Sequence, residues 1–250
     1  MHRGDLVEYL ERMLSISKYQ DRSINGLQVQ GRDEVRKVGL ATDAALAVYE
    51  KAAALGCDFL FVHHGLVWGG LERIVGRAYQ HVRALLEADM SLFACHLPLD
   101  LHPTLGNNAR LAELVGLSDV QPFGEYHGVT IGFKGLLSEP LSIAELATRW
   151  QSHVGGSPML LEFGPSQIRK LGIVSGGGSS MLEEALAQGL DCFVTGEGEH
   201  KDFHLAREGK INVVYLGHYA SETVGVQAVG EDLQKNLGLE TVFIDEPSPF

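Results

Sequence analysis

Cysteine is scarce in this 250-residue chain. Cys57, Cys95 and Cys192 form an odd, widely spaced set, each in an apolar setting, with no CxxC pair. That excludes a disulfide framework and a thiolate-rich structural zinc site, and reads as buried thiols in a reducing compartment. Long hydrophobic runs are lacking too. No stretch reaches the ~18 apolar residues of a membrane span. The N-terminal MHRGDLVEYLERML reads as an amphipathic helix with no uninterrupted apolar core for export. A cytoplasmic protein is the expectation. Positive charge is in short supply: 20 Lys and Arg against 32 Asp and Glu leave a net charge of −12. A field of that sign repels phosphate backbones, so nucleic-acid binding is disfavoured, although a local cationic pocket is not. No GxSxG elbow is present.

What is there is an alternation of strand-like and helical runs. KVGLAT (37–42), DFLFVHH (58–64) and MSLFACH (90–96) read as β segments. ALAVYEKAAALG (45–56) and GRAYQHVRALLEAD (76–89), which separate them, have helical periodicity. The result is βαβαβ, which implies parallel strands and right-handed crossovers. The pattern recurs in KLGIVSG (170–176), MLEEALAQGL (181–190), DCFVTGE (191–197) and INVVYLGH (211–218). Lys170, Gly172, Gly189 and Asp191 each stand 133 residues after Lys37, Gly39, Gly56 and Asp58. This spacing favours duplication and predicts an α/β protein of two related βαβαβ lobes. Between the copies, NNARLAELVGL and IAELATRWQSHVG read as helices, and HGVTIGFKGLL as a strand.

Chemistry collects where the strands end, the place where open α/β sheets put their sites. His63 and His64 close the second β run. His96 and Asp100 (HLPLD) follow the third, and His218 and Glu222 (HYASE) follow the corresponding run of the second copy. Taken alone, a His pair or a His-x-x-x-acid spacing is ordinary polarity or an i, i+4 helix pair. Together at matching strand ends they point to a metal. His and carboxylate donors without thiolate suit Zn, Fe, Mn, Co or Ni. One metal needs about three protein ligands, and this cluster offers more, so two cations sharing an activated water are accommodated. A sharp turn at Gly65 would send both rings of the tandem pair to one side. SGGGSS (175–180), with Gly176, Gly177 and Gly178, is either a tight turn or an anion cradle, and the tight turn is favoured. Glu197, Glu199, His200 and His204 lie in a polar stretch at the strand end matching that of His64, where they could face a substrate. INGLQVQG (24–31) is turn chemistry that by itself demands no function. His2, His81, His127 and His153 have no convergent partners.

SINGLQVQG, VHHGLVW, HLPLDLHPTLGNN, VTGE and GHYASE together resemble the Nif-three-like dinuclear metal-centre family, whose members are often labelled GTP cyclohydrolase I type 2 homologues. The resemblance spans roughly residues 20 to 245 and is to the short bacterial form, without the extra central domain of longer members. It implies two α/β lobes, one of residues 1–110 plus 215–250 and one of 111–214, with a metal cleft at their interface. It also implies a pair of divalent ions held by His63, His64, Asp100, His218 and Glu222, the last as bridging carboxylate, and a toroidal homohexamer built as a trimer of dimers. His96 matches a position beside the site. The function implied is metal-dependent hydrolysis of a nucleotide or heterocycle; on imidazole chemistry, His96 or His204 is the candidate to move protons. The alternative is a metal or metal-cofactor binding scaffold, or metallochaperone, without turnover.

Overall fold

The computed structural model describes residues 1–70, 73–126 and 128–249. His127 therefore lies outside the described residues. The first part of the chain forms α1 (Arg3–Met13), β1 (Gly26–Val29), β2 (Lys37–Asp43), α2 (Leu46–Ala54), β3 (Phe59–His64), α3 (Arg77–Glu87), β4 (Ser91–Ala94) and α4 (Leu97–Asp100). Next come α5 (Asn107–Leu114), β5 (Leu117–Tyr126), β6 (Val129–Leu141), α6 (Ile143–Val154) and β7 (Met159–Glu162). The last part holds β8 (Ile168–Val174), α7 (Leu182–Ala187), β9 (Cys192–Thr195), α8 (His200–Gly209), β10 (Asn212–Tyr215), α9 (His218–Leu237) and β11 (Glu240–Phe243). Two compact units result. One is Met1–Leu99 with Val226–Glu246, and the other is Asp100–Gly225 with the residues from Pro247 onward. The chain crosses from one to the other inside α4 and returns inside α9.

The first unit is a five-stranded sheet of order β1-β4-β3-β2-β11. β2, β3 and β4 run parallel, as the βαβαβ reading predicts, β11 joins parallel to β2, and β1 closes the other edge antiparallel to β4. β3 is buried from Phe59 to His63, which is why it reads as an uninterrupted apolar run. Phe59, Phe61 and Phe93 meet across β3 and β4 with ring centroids 5.7 to 6.0 Å apart. Burying each of these rings contributes about 1.5–3 kcal/mol. α1 packs Leu6 and Leu10 onto this core, and α9 adds Val226, Val229 and Leu233.

The second unit is a six-stranded sheet of order β5-β6-β8-β9-β10-β7. Its parallel trio is β8, β9 and β10, and β7 covers the β10 edge as β1 covers that of β4. β5 and β6 form a long antiparallel ribbon on the other side. α6 begins with a capping box between Ser142 and Glu145 and buries Trp150, whose indole N–H donates to Leu111 O at 2.9 Å.

The duplication is visible atom by atom. Asp58 Oδ2 accepts from the backbone N–H groups of Arg36 and Lys37, at 2.9 and 3.2 Å. Asp191 Oδ2 accepts from Arg169 and Lys170, at 2.9 and 2.8 Å. In both copies the acid's own N–H returns to the lysine carbonyl at 2.9 Å. The glycine ending each first helix is left-handed, with φ 71° at Gly56 and 64° at Gly189, where a side chain would be strained. The lysine, the helix-end glycine and the aspartate matched by spacing therefore do the same mechanical work in each unit.

Candidate metal centre

In the first unit the strand register sets the site. β2 pairs with β3 so that Asp43 stands opposite His64. Asp43 Oδ1 lies 2.8 Å from His64 Nδ1. His63, fully buried, places Nδ1 3.0 Å from the Cys95 carbonyl. A carbonyl can only accept, so Nδ1 carries the proton and the lone pair sits at Nε2. His96 follows β4, and its Nδ1 lies 3.0 and 3.1 Å from the two carboxylate oxygens of Asp21. Each ring thus has its Nδ1 proton held by an oxygen, the arrangement that fixes the tautomer and orientation of metal-binding histidines. The rings stand 4.6 to 5.6 Å apart, and their candidate ligand atoms all lie within 4.8 Å of one another.

Asp21 is itself held. It accepts from the N–H groups of Ser23 and Leu97 and from the Asn25 amide, each at 3.0 Å. Burial alone would push its carboxyl up. The bond and charge of His96, with those amide donors, outweigh burial and hold it well below the usual carboxylate range. Asn25 also accepts from the His96 N–H at 2.8 Å. The segment past β3 is clamped by Gln28, whose Oε1 accepts from Leu66 and Val67 at 2.7 and 3.0 Å. Gly65 is required there for closeness, not for an unusual φ: an added Cβ would overlap the Gln28 amide and the Ala94 methyl. INGLQVQG therefore has a function after all, since it supplies both Asn25 and Gln28.

In the second unit Asp100 ends α4 and is 6% exposed; Glu222, on the first turns of α9, is 3% exposed. Their candidate ligand oxygens lie within 4.8 Å of each other. Two buried carboxylates at that separation repel strongly unless a cation stands with them. Asp100 Oδ1 accepts from Asn107 Nδ2 at 2.8 Å and Ser175 Oγ at 3.1 Å. Asn108 ties the same helix end down, donating to Ile131 O and accepting from Ser175 N at 2.8 and 2.7 Å. His218 opens α9, one turn from Glu222. Its Nε2 lies 3.3 Å from Glu222 Oε2 and its Nδ1 3.0 Å from Glu197 Oε1. The bond to Glu222 leads the effects that raise the His218 pKa to about 9, against a smaller opposing effect of burial.

The glycine turn answers to this carboxylate. Gly176 has φ 61°, and an added Cβ would overlap Glu222 Oε1. The Gly176 and Gly178 N–H groups donate to Ser221 Oγ and Thr195 Oγ1, so neither is available to an anion. The tight-turn reading is the one the geometry supports. Each metal-ligand candidate read from sequence thus sits in a donor arrangement within its own unit. His96 joins the two histidines of β3. His204 joins no donor group among the described residues; it is exposed on α8, with its ring 6.1 Å from that of His200. Glu197, read as a substrate-facing candidate, holds His218. The sequence pattern does not single out Asp21 or Asp43. Asp43 could have been found as the acid that ends the strand next to the tandem histidine; Asp21 lies in a segment with no periodicity.

Four histidines oriented through Nδ1 and a pair of buried carboxylates, with no thiolate in the donor groups of the described residues, are ligand types that suit a hard or borderline divalent metal. A family model described as Duf34/NIF3 (NGG1p interacting factor 3) matches residues 1–249. The chain belongs to the Duf34/NIF3 family. Among its relatives, a GTP cyclohydrolase 1 type 2 homolog of Archaeoglobus fulgidus is 44% identical over 248 residues, 99% of each chain. One of Deinococcus radiodurans, with the same name, is 41% identical over 98% of this chain and 94% of its own. The crystal structure of a Thermus thermophilus protein superposes with a TM-score of 0.92 at 40% identity over 100% of both chains. Family membership bears out the resemblance drawn from the five quoted motifs, and the α/β fold is shared along the whole chain.

Proposed function

We propose that this chain is a dinuclear metal-binding protein that uses two divalent ions to hydrolyse a nucleotide or related heterocycle. His63, His64, Asp100, His218 and Glu222 would hold the ions, with Glu222 the carboxylate shared between them. The observation that carries the reading is the set of oxygen partners at Nδ1: the Cys95 carbonyl, Asp43 and Glu197 each orient one ligand histidine, and Asp21 orients the neighbouring His96. Such partners fix the tautomer and orientation of an imidazole, which is what a metal-binding histidine requires. The ions would supply Lewis acidity, polarising an electrophile and acidifying water. His96 is the proton-moving group in this reading, because Asp21 holds its Nδ1 and leaves Nε2 as the nitrogen that can give or take a proton. The relatives' shared name, GTP cyclohydrolase 1 type 2 homolog, supports a purine nucleotide as substrate class.

The test is a hydrolase screen against nucleoside phosphates with the chain loaded separately with Mn, Fe, Co, Ni and Zn. Turnover that disappears in His96→Gln, while metal content stays, supports the enzyme. Bound metal with no turnover on any substrate supports the scaffold reading instead. The assembly we propose is a homohexamer, and a solution mass about six times the 27.2 kDa chain is its check.

A further inference from the structure

A cavity of about 940 Å³ opens in the first unit beside the histidine group. Its volume is that of a site for a small organic ligand. Trp68, Arg73, Arg77 and His81 line it, together with Gly65 and Leu66 of the clamped segment. The described lining residues include two guanidinium groups and no carboxylate, in a chain whose net charge is −12. So local a reversal of sign is what an anionic ligand needs if it is to approach an acidic protein.

The cavity is built rather than incidental. His81 is buried, at 4% exposure, and its Nε2 accepts from Arg77 Nε at 3.3 Å. The other side of its ring meets Tyr49 edge-on, with centroids 5.4 Å apart. A buried imidazole therefore aims Arg77, leaving the terminal nitrogens of the guanidinium for a ligand. Trp68 is fixed as well: its indole N–H donates to Gly65 O at 2.8 Å, and Gln28 clamps the two residues before it. Its ring lies 5.0 Å from that of His96 and 6.3 Å from that of His64. Trp68 therefore belongs to both places, lining the cavity and touching the imidazoles. At 39% exposure it offers a flat apolar surface to solvent.

We propose that this cavity is the subsite for a phosphorylated aromatic heterocycle, with the phosphate on Arg73 and Arg77 and the ring packed against Trp68 beside His64 and His96. Arginine suits the anion because its planar fork makes paired charge-assisted bonds to phosphate oxygens. The indole suits an aromatic ring through stacking. This inference rests on the proposed function, since it supplies the substrate-binding part of that site.

The experiment titrates GMP, guanosine and inorganic phosphate into metal-loaded protein and follows tryptophan fluorescence. Trp150, fully buried, provides a constant background. GMP is expected to quench the signal saturably, with guanosine and phosphate each at least tenfold weaker. Arg73→Ala/Arg77→Ala is expected to weaken GMP at least tenfold and to leave guanosine unchanged, with full metal content. Trp68→Phe should remove the quenching while calorimetry still detects GMP. Equal affinity for GMP and guanosine, or a double variant that binds GMP as the parent does, overturns the proposal. So does metal-loaded protein that ignores all three probes. Failure of the parent chain to take up metal is a different result, and overturns the proposed function itself.

Discussion

His63, His64, His96 and His218 differ from ordinary polar residues in how completely their Nδ1 is committed. Asp43 and Asp21 touch no reacting atom; they hold rings. Asp43→Asn keeps the shape but weakens the acceptor, and is expected to lower metal affinity about 10–100-fold with the fold intact. A competition titration with a chelator, run beside circular dichroism, checks both halves of that statement. His218 gives the pH dependence. In metal-free protein its pKa stands at about 9, raised from 6.5, so its contribution to stability is complete below pH 6.5 and fades as pH rises to about 9. Metal held by His218, as proposed, has to displace that proton. Uptake of metal at pH 7 should therefore release about one proton per chain at this residue, measurable by calorimetry in buffers of different ionisation enthalpy. His218→Gln should abolish that release. Gly176→Ala puts a methyl against Glu222 at a left-handed φ, and should cost both stability and metal, read by thermal melting and elemental analysis.

Among the elements, the helix ends carry the site and the strands carry its accuracy. Asn108 joins the end of α4 to β6 and to Ser175, just past β8, through bonds that are buried at Asp100 and Ser175 and partly buried at Ile131. Asn108→Ala leaves the Ser175 N–H and the Ile131 carbonyl to lose this partner, at about 1–3 kcal/mol for each buried group left unsatisfied. A urea transition shifted by a few kcal/mol, with unchanged slope, is the expected outcome. The parallel trios were legible because strands buried on both faces read as apolar runs. β5 was not: most of its residues are exposed, it contains Pro122 and Gly124, and Asp119 interrupts it with φ 51°. β1, β7 and β11 are four-residue edge strands, whose place depends on a neighbour rather than on their own pattern. The ligand candidates were legible because they end those buried runs. Their partners Asp21, Asn25 and Gln28 were not, because a loop reveals its contacts only when folded.

At the scale of the whole molecule, a duplicated βαβαβ unit has kept its mechanical parts and divided its chemistry. The Asp58 and Asp191 clamps are equivalent, and each copy ends in a histidine and an acid, His96 with Asp100 and His218 with Glu222, but only the copy with Asp58 adds the tandem His63 and His64. The offset glycines, lysines and acids make the duplication readable in the sequence itself. The sequence alone had no means of showing which oxygen each histidine would face. Among the described residues no helix is long and apolar enough to cross a membrane, in keeping with the short hydrophobic runs. The central claim is that this chain is built to hold two metal ions. Elemental analysis of protein purified without added metal, beside His64→Ala and Glu222→Ala, tests it most directly. The account predicts about two divalent ions per chain, reduced in both variants while the fold persists. A parent chain that carries none, and takes up none when offered Mn, Fe, Co, Ni or Zn, would contradict it.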